Sequence, residues 1–154
     1  MEVNVLSQEK ADDLLKSLQG KPNFEKTFLA EMDRKVAGQS LWALPAEDSN
    51  PANARTYYLV TSDNIAPYLL VGVNGYLNIS SLFLVSENRI KCMAAQCFKY
   101  LLKKELLPRC TGRACIYATA GTEEGVRFFQ KLAYDLPDGV MRISGTERII
   151  IELK

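Results

Sequence analysis

Histidine is absent from all 154 residues, and with it go Ser-His-Asp and Cys-His catalysis, whose proton transfers need an imidazole. The four cysteines, Cys92, Cys97, Cys110 and Cys115, include no Cys-x-x-Cys pair. With no histidine to complete a ligand set a zinc site is not expected, and with no export signal neither is a disulfide framework. A dominant charge is missing too: nineteen Lys and Arg against eighteen Asp and Glu leave a net +1, so no overall field draws the chain toward nucleic acid or an anionic membrane. No window approaches the roughly 20 apolar residues that span a bilayer. Met1-Glu2-Val3-Asn4-Val5 offers neither the basic flank nor the apolar length of a signal peptide. The expectation is a cytoplasmic protein without a metal, a nucleic-acid partner or a membrane partner. Its chemistry would have to use carboxylates, Tyr, Lys, thiols, water or backbone groups.

What is present is an apolar fraction of 47% and a charged fraction of 24%, the balance of a globular chain. The length suits one hydrophobic core and is short for two, so residues 1–154 are read as one domain with no repeat, linker or low-complexity tract. Met1 to Leu6 reads as a strand. Ser7 can then cap a helix whose Ala11, Leu14, Leu15 and Leu18 recur at helical spacing until Gly20. Phe28, Met32 and Val36 form a second apolar stripe, predicting a helix over Phe24 to Val36. Ser40 to Pro45 is a short apolar run, and Ala46 to Ala54 a loop.

Three β-rich segments follow, Thr56 to Thr61, Tyr68 to Val73 and Tyr76 to Val85, with Asn74-Gly75 between the last two. Asn-Gly is a strong tight-hairpin signal because both central residues of that turn need positive φ, so an antiparallel meander is predicted. Arg89 to Lys104 turns helical, stopped by Pro108. Arg113 to Ala118 reads as a buried strand and Thr122 to Leu132 as an amphipathic helix. Val140 to Ile143 and Glu147 to Leu153 form a closing pair of strands. An antiparallel first half followed by strand, helix, strand, helix, strand, strand predicts a mixed α/β sheet with one parallel crossover in its middle and flanking helices.

The segment Leu82 to Ala94, LFLVSENRIKCMA, resembles the strand-loop-helix of the GNAT superfamily of acyl-CoA-dependent N-acetyltransferases. In that family an Arg or Gln-x-x-Gly-x-Gly/Ala element opens the helix; Arg89, Cys92 and Ala94 stand at those positions. A second stretch, Thr122 to Tyr134, is similar to the family's last helix. Its landmarks are altered: Thr122 for Asn, Gly125 for Ala, Phe129 for Tyr, Ala133 for Gly and Tyr134 for Phe. The resemblance covers Thr56 to Lys154 in order of elements and implies a GNAT-like fold.

It further implies that acetyl-CoA, or another acyl-CoA, is co-substrate to an N-acyltransferase. The backbone of Leu84 and Val85 would bond its pantetheine arm. Arg89, Ile90, Lys91, Cys92, Met93 and Ala94 would hold its pyrophosphate through free amides at a helix N-terminus, and Thr122 and Phe129 would line the site. A primary amine on a small molecule or protein would attack the thioester directly. Phe129 stands where many members carry the Tyr that reprotonates the leaving thiolate, so Tyr117 or Tyr134 would have to substitute. Cys92 puts a side chain in place of a glycine, read as a reactive thiol or as a small filler.

Two readings from other classes stay open: a catalytically inactive GNAT-fold binding or regulatory module, and an unrelated α/β interaction domain. GNAT proteins often dimerise, so the resemblance leaves a homodimer open as well. Lys99, Tyr100, Lys103, Lys104 and Arg109 are read as a solvated helix face in preference to a nucleic-acid surface.

Overall fold

A computed structural model describes residues 1–18, 28–31, 50, 54–63, 66–86, 90–110, 115–119, 123–137, 141–144 and 148–152. Strand β1 (Glu2–Leu6) leads into helix α1 (Gln8–Leu18). The Ser7 hydroxyl accepts the Lys10 amide at 3.2 Å, the cap expected of Ser at a helix start. Next come β2 (Phe28–Glu31), β3 (Thr56–Thr61), β4 (Pro67–Val73) and β5 (Asn78–Leu84). Helix α2 (Met93–Leu101) runs without a break through a π-helical turn (Leu102–Leu106) into a last short turn, α3 (Leu107–Arg109). The chain closes with β6 (Cys115–Thr119), α4 (Glu123–Asp135), β7 (Met141–Ser144) and β8 (Arg148–Glu152). The predicted apolar run from Ser40 to Pro45 lies outside the described residues, as does the predicted loop from Ala46 to Ala54 apart from Asn50 and Ala54.

The strands form one mixed sheet in the order β1-β3-β4-β5-β6-β8-β7, with β2 pairing β5 off that path. Every pairing is antiparallel except β5 with β6. The mixed α/β class and the single parallel crossover were therefore legible in the element order. Alternation along the strands divides the core in two. One face carries Tyr58, Val60, Leu69, Val71, Leu82 and Leu84 against Phe98 and Leu101 of α2 and Phe129 and Leu132 of α4. The other carries Tyr57, Leu70, Phe83 and Val85 against Ala11, Leu15 and Leu18 of α1. Phe98 meets Phe129 edge-on, with ring centroids 6.0 Å apart, a geometry favoured by the ring quadrupoles.

Two local expectations are corrected. Residues 28–31 are a strand, not the middle of a helix over Phe24 to Val36; pairing with the edge of β5 overrides the helical spacing of Phe28 and Met32. The β4–β5 hairpin forms, but not through a two-residue Asn-Gly turn. The non-glycine residue with positive φ there is Leu77, at 59°. The Asn74 side chain closes a longer loop instead: its Oδ1 accepts the amides of Tyr76 at 2.9 Å and Asn78 at 3.0 Å. The Leu77 amide donates to the Asn74 carbonyl at 3.1 Å. An Asx side chain standing in for a backbone acceptor explains why Asn is needed here without a left-handed backbone of its own.

The π turn has a local cause. Pro108 has no N–H, and its ring would strike the carbonyl four residues earlier in a regular α-helix. The Leu107 amide reaches back five residues, to the Leu102 carbonyl, and this widened turn carries the chain into the proline.

Candidate functional site

The two edges of β5 are unlike. Toward β4 the ladder runs its whole length, from Leu84 opposite Leu69 to Ile79 opposite Val73, with Ser80 as the extra residue of a bulge. It is prolonged by the Val85 amide donating to the Tyr68 carbonyl at 2.9 Å. Toward the other side β5 has two partners in succession. Asn78 and Ile79 pair in parallel with Tyr117 and Ala118 of β6, a pairing begun by the Tyr117 amide donating to the Leu77 carbonyl at 3.2 Å. Ser81, Leu82 and Phe83 then pair with Glu31, Ala30 and Phe28 of β2. β5 and β6 thus share only two register positions, and β2 lies along the remainder of that edge, also in contact with β6 and α4.

Backbone direction follows from these bonds. Val85 points its amide at β4, so by the alternation of strand N–H groups Leu84 points its own at the opposite edge. Of the two residues expected to bond an extended ligand through the backbone, Val85 is committed within the sheet and Leu84 is directed outward. Both are buried.

The strand gives way to a helix start that the sheet itself positions. Ile90 donates its amide to the Tyr68 hydroxyl at 3.0 Å, and its carbonyl accepts from the same hydroxyl at 3.3 Å. Tyr68 therefore fixes the loop from a core strand. Met93 donates to the Ile90 carbonyl, and Gln96 to the Cys92 carbonyl, each at 3.1 Å. The amides of Ala94 and Ala95 are the orphan donors of the first turn. α2 has no side-chain cap and no acidic residue in that turn, so no residue of the turn itself offsets the positive end of its dipole. Of the run expected to hold an anion, Ile90 has its amide committed to the Tyr68 hydroxyl and Met93 to the Ile90 carbonyl, while Ala94 is a free donor of the first turn among the described residues. Lys91 and Cys92 are exposed beside it. Arg89 and Thr122 lie outside the described residues.

Cys92 adopts φ 65°, ψ 1°, a left-handed conformation that costs an L-residue about 1–2 kcal/mol and glycine almost nothing. The backbone at 92 is thus one that a glycine would take, and the thiol is displayed at the surface. Cys97, one turn further, is buried, and desolvation pushes its thiol up to about 11.

The tyrosine and phenylalanine positions separate sharply. Tyr117 is half-buried on β6, in register with Asn78 at the start of the two-residue pairing of β5 with β6. Tyr134, near the end of α4, is 91% exposed, so little of the protein orients its hydroxyl. Phe129 is fully buried between Phe98 and Phe128 and belongs to the core, as the helical pattern alone would have it. The basic stretch is largely a solvated face, with Lys103 and Lys104 exposed. Two of its members have partners in the protein: Lys99 lies 3.7 Å from Asp135 at the surface, and Arg109 donates to the Tyr58 hydroxyl at 2.8 Å.

Sequence reasoning did not foresee two features. One is the Tyr68 clamp, which carries no local sequence signal. The other is a pair of buried hydroxyls, Ser80 and Ser81, with no hydrogen-bond partner among the described residues; two serines inside an apolar run are their sequence signal. Among the described residues no group of three or more His, Cys, Asp or Glu could hold a metal ion, and no helix is long and apolar enough to cross a membrane. In comparison with known proteins, the chain matches no family model, no curated protein and no solved structure.

Proposed function

We propose that the chain has a GNAT-like architecture, binds an acyl-CoA at the junction of β5 and α2, and transfers the acyl group to a primary amine of a small molecule or protein. The reading is carried by one observation: β5 leaves its parallel partner β6 after two residues, and the next described element in the chain is an uncapped helix start with a glycine-like residue at 92. A parted strand pair offers backbone groups to an extended amide-bearing arm, and free amides at a helix start suit a diphosphate. The donor set at Ala94 and Ala95, with Lys91 beside it, fits the anionic end of such a substrate.

In the transfer, the amine nitrogen attacks the thioester carbonyl, a C–N bond forms, the C–S bond breaks and the thiolate leaves with the proton lost by the amine. The protein's part is positioning, with the outward amide of Leu84 available to the oxyanion. Tyr117, half-buried on β6 beside the pairing with β5, is better placed than the exposed Tyr134 to return a proton to the thiolate.

A second reading, a catalytically inactive module of the same architecture, is favoured by β2 lying on the β5 edge and by Phe129 standing in the core where an acid would be useful. Titration calorimetry with acetyl-CoA and desulfo-CoA, followed by thiol-release assays against a panel of primary amines, tests both. Binding with turnover supports transfer, binding without turnover supports the inactive module, and binding of neither ligand removes transfer and weakens the inactive module.

A further inference from the structure

We infer that the outer edge of β1 pairs with the same edge of a second copy of this chain, joining two sheets across a two-fold axis at Asn4; this is independent of the acyl-CoA reading. β1 stands at the end of the strand order, and among the described residues its partner is β3 alone. The ladder with β3 runs through all five residues, Glu2 to Leu6, without a bulge. Neither proline nor lysine interrupts the strand. The devices that commonly blunt a sheet edge are therefore missing.

The register tells which groups face outward. The Val85 amide reaches the Tyr68 carbonyl, so Tyr68 and Leu70 bond toward β5, and Leu69 and Val71 toward β3. Val60 and Tyr58 lie opposite these last two and bond back to β4, which turns Leu59 and Tyr57 toward β1. Asn4 and Leu6, opposite Leu59 and Tyr57, bond inward. Val3 and Val5 are left with N–H and C=O groups directed away from the sheet. On the α2 face Val3 packs against the core, while Val5, on that face by alternation, is 65% exposed. On the opposite face α1 packs on Tyr57, Leu70, Phe83 and Val85, inboard of the edge, and leaves it open.

This edge is complementary to itself. Antiparallel pairing about Asn4 sets Val3 of each copy opposite Val5 of the other, and each such pair exchanges both of its peptide hydrogen bonds. The exposed Val5 is then covered by the half-buried Val3 of the second copy. Glu2, the strand's one charged residue, falls opposite Leu6, so no like charges meet. Asn4 faces its own counterpart in a non-hydrogen-bonded pair, with Cα atoms about 4.5 Å apart. A foreign strand would have to reproduce this spacing of two valines around a polar centre, whereas a second copy does so by symmetry.

A single strand pair buries less than a stable dimer needs and belongs with weak encounters. Sedimentation velocity of the full chain is therefore expected to show a reversible dimer with a midpoint of about 100 μM. Val5→Pro loses an outward N–H and leaves the β3 ladder whole; Val5→Lys puts a charge on the edge and carries the test if the proline variant does not fold. Each is expected to weaken the dimer at least about tenfold, with native circular dichroism. In a Cys92→Ser background, mild oxidation is expected to cross-link Asn4→Cys, whose Cα separation suits a disulfide. Glu2→Cys, roughly 14 Å from its counterpart in this register, is expected to stay uncross-linked. A chain monomeric up to about 1 mM leaves the edge to a foreign strand or to water and overturns the inference. A dimer that survives both Val5 variants also overturns it, as does cross-linking through Glu2→Cys in place of Asn4→Cys.

Discussion

One strand, β5, has an edge that belongs to the core and an edge that is shared out. Toward β4 the pairing is continuous, both flanking faces are buried, and even the bulge at Ser80 is matched by a glycine across the ladder. Toward β6 and β2 the pairing is divided between a parallel partner for two residues and an antiparallel one for three. The first edge is fixed by burial on both faces, where apolar area removed from water dominates. The second is divided, among the described residues, between the β6 ladder and β2, which is itself in contact with β6 and α4.

The contrast is broken most severely from its rigid side. Phe98→Ala removes a fully buried ring that packs on Phe129 and Phe128, and is expected to cost about 3–5 kcal/mol in denaturant unfolding. Gly72→Ala attacks the same side at the bulge. A Cβ there would lie 2.8 Å from the Tyr57 ring and 3.1 Å from the Ser80 hydroxyl, and the Tyr57 ring is itself fully buried. A loss of about 1–3 kcal/mol follows from overpacking, read as a lower melting temperature.

Smaller changes sharpen the comparison on the shared side. Tyr68→Phe unties Ile90 from β4 and is expected to cost about 1 kcal/mol. The Ile90 amide should then exchange much faster while the β4–β5 amides keep their protection. Cys97 tests how dry the α2 face is. Its thiol is raised from 9.0 to about 11 by burial, so the folded state holds the proton more tightly than the unfolded one. The stabilisation is complete below pH 9 and is lost as pH rises from 9 to 11. Unfolding curves across that window should show the decline, and iodoacetamide at neutral pH should modify Cys92 and spare Cys97. Cys92→Gly has the smallest expected effect, a gain of about 0.5 kcal/mol as left-handed strain is exchanged for glycine's backbone entropy. Direct comparison of melting midpoints checks it.

The order of strands and helices was readable because strand-period and helix-period apolar patterns alternate cleanly from Thr56 onward, and because Ser7 and Asn74 mark boundaries by local chemistry; Pro108, expected to stop the helix, instead lies inside its last turn, Leu107–Arg109. Residues 28–31 were misread because their spacing fits a helix and their partner, the far edge of β5, is a long-range fact that no window contains. The same limit applies at the site. That a helix starts near Cys92 follows from the pattern, whereas the left-handed backbone of Cys92 and the Tyr68 clamp depend on how β4, β5 and α2 meet. Phe129 shows the reverse. Its apolar spacing placed it in the core, and only the family resemblance drew it toward the ligand.

The π turn at Leu102–Leu106 inserts one residue into the helical count, which shifts the azimuth of everything downstream by a fraction of a turn. That offset aims Arg109 at the Tyr58 hydroxyl on β3. Deleting a single residue from the turn would reset the helical phase, swing the guanidinium off its tyrosine and set the Pro108 ring against a carbonyl, although no core side chain had been altered.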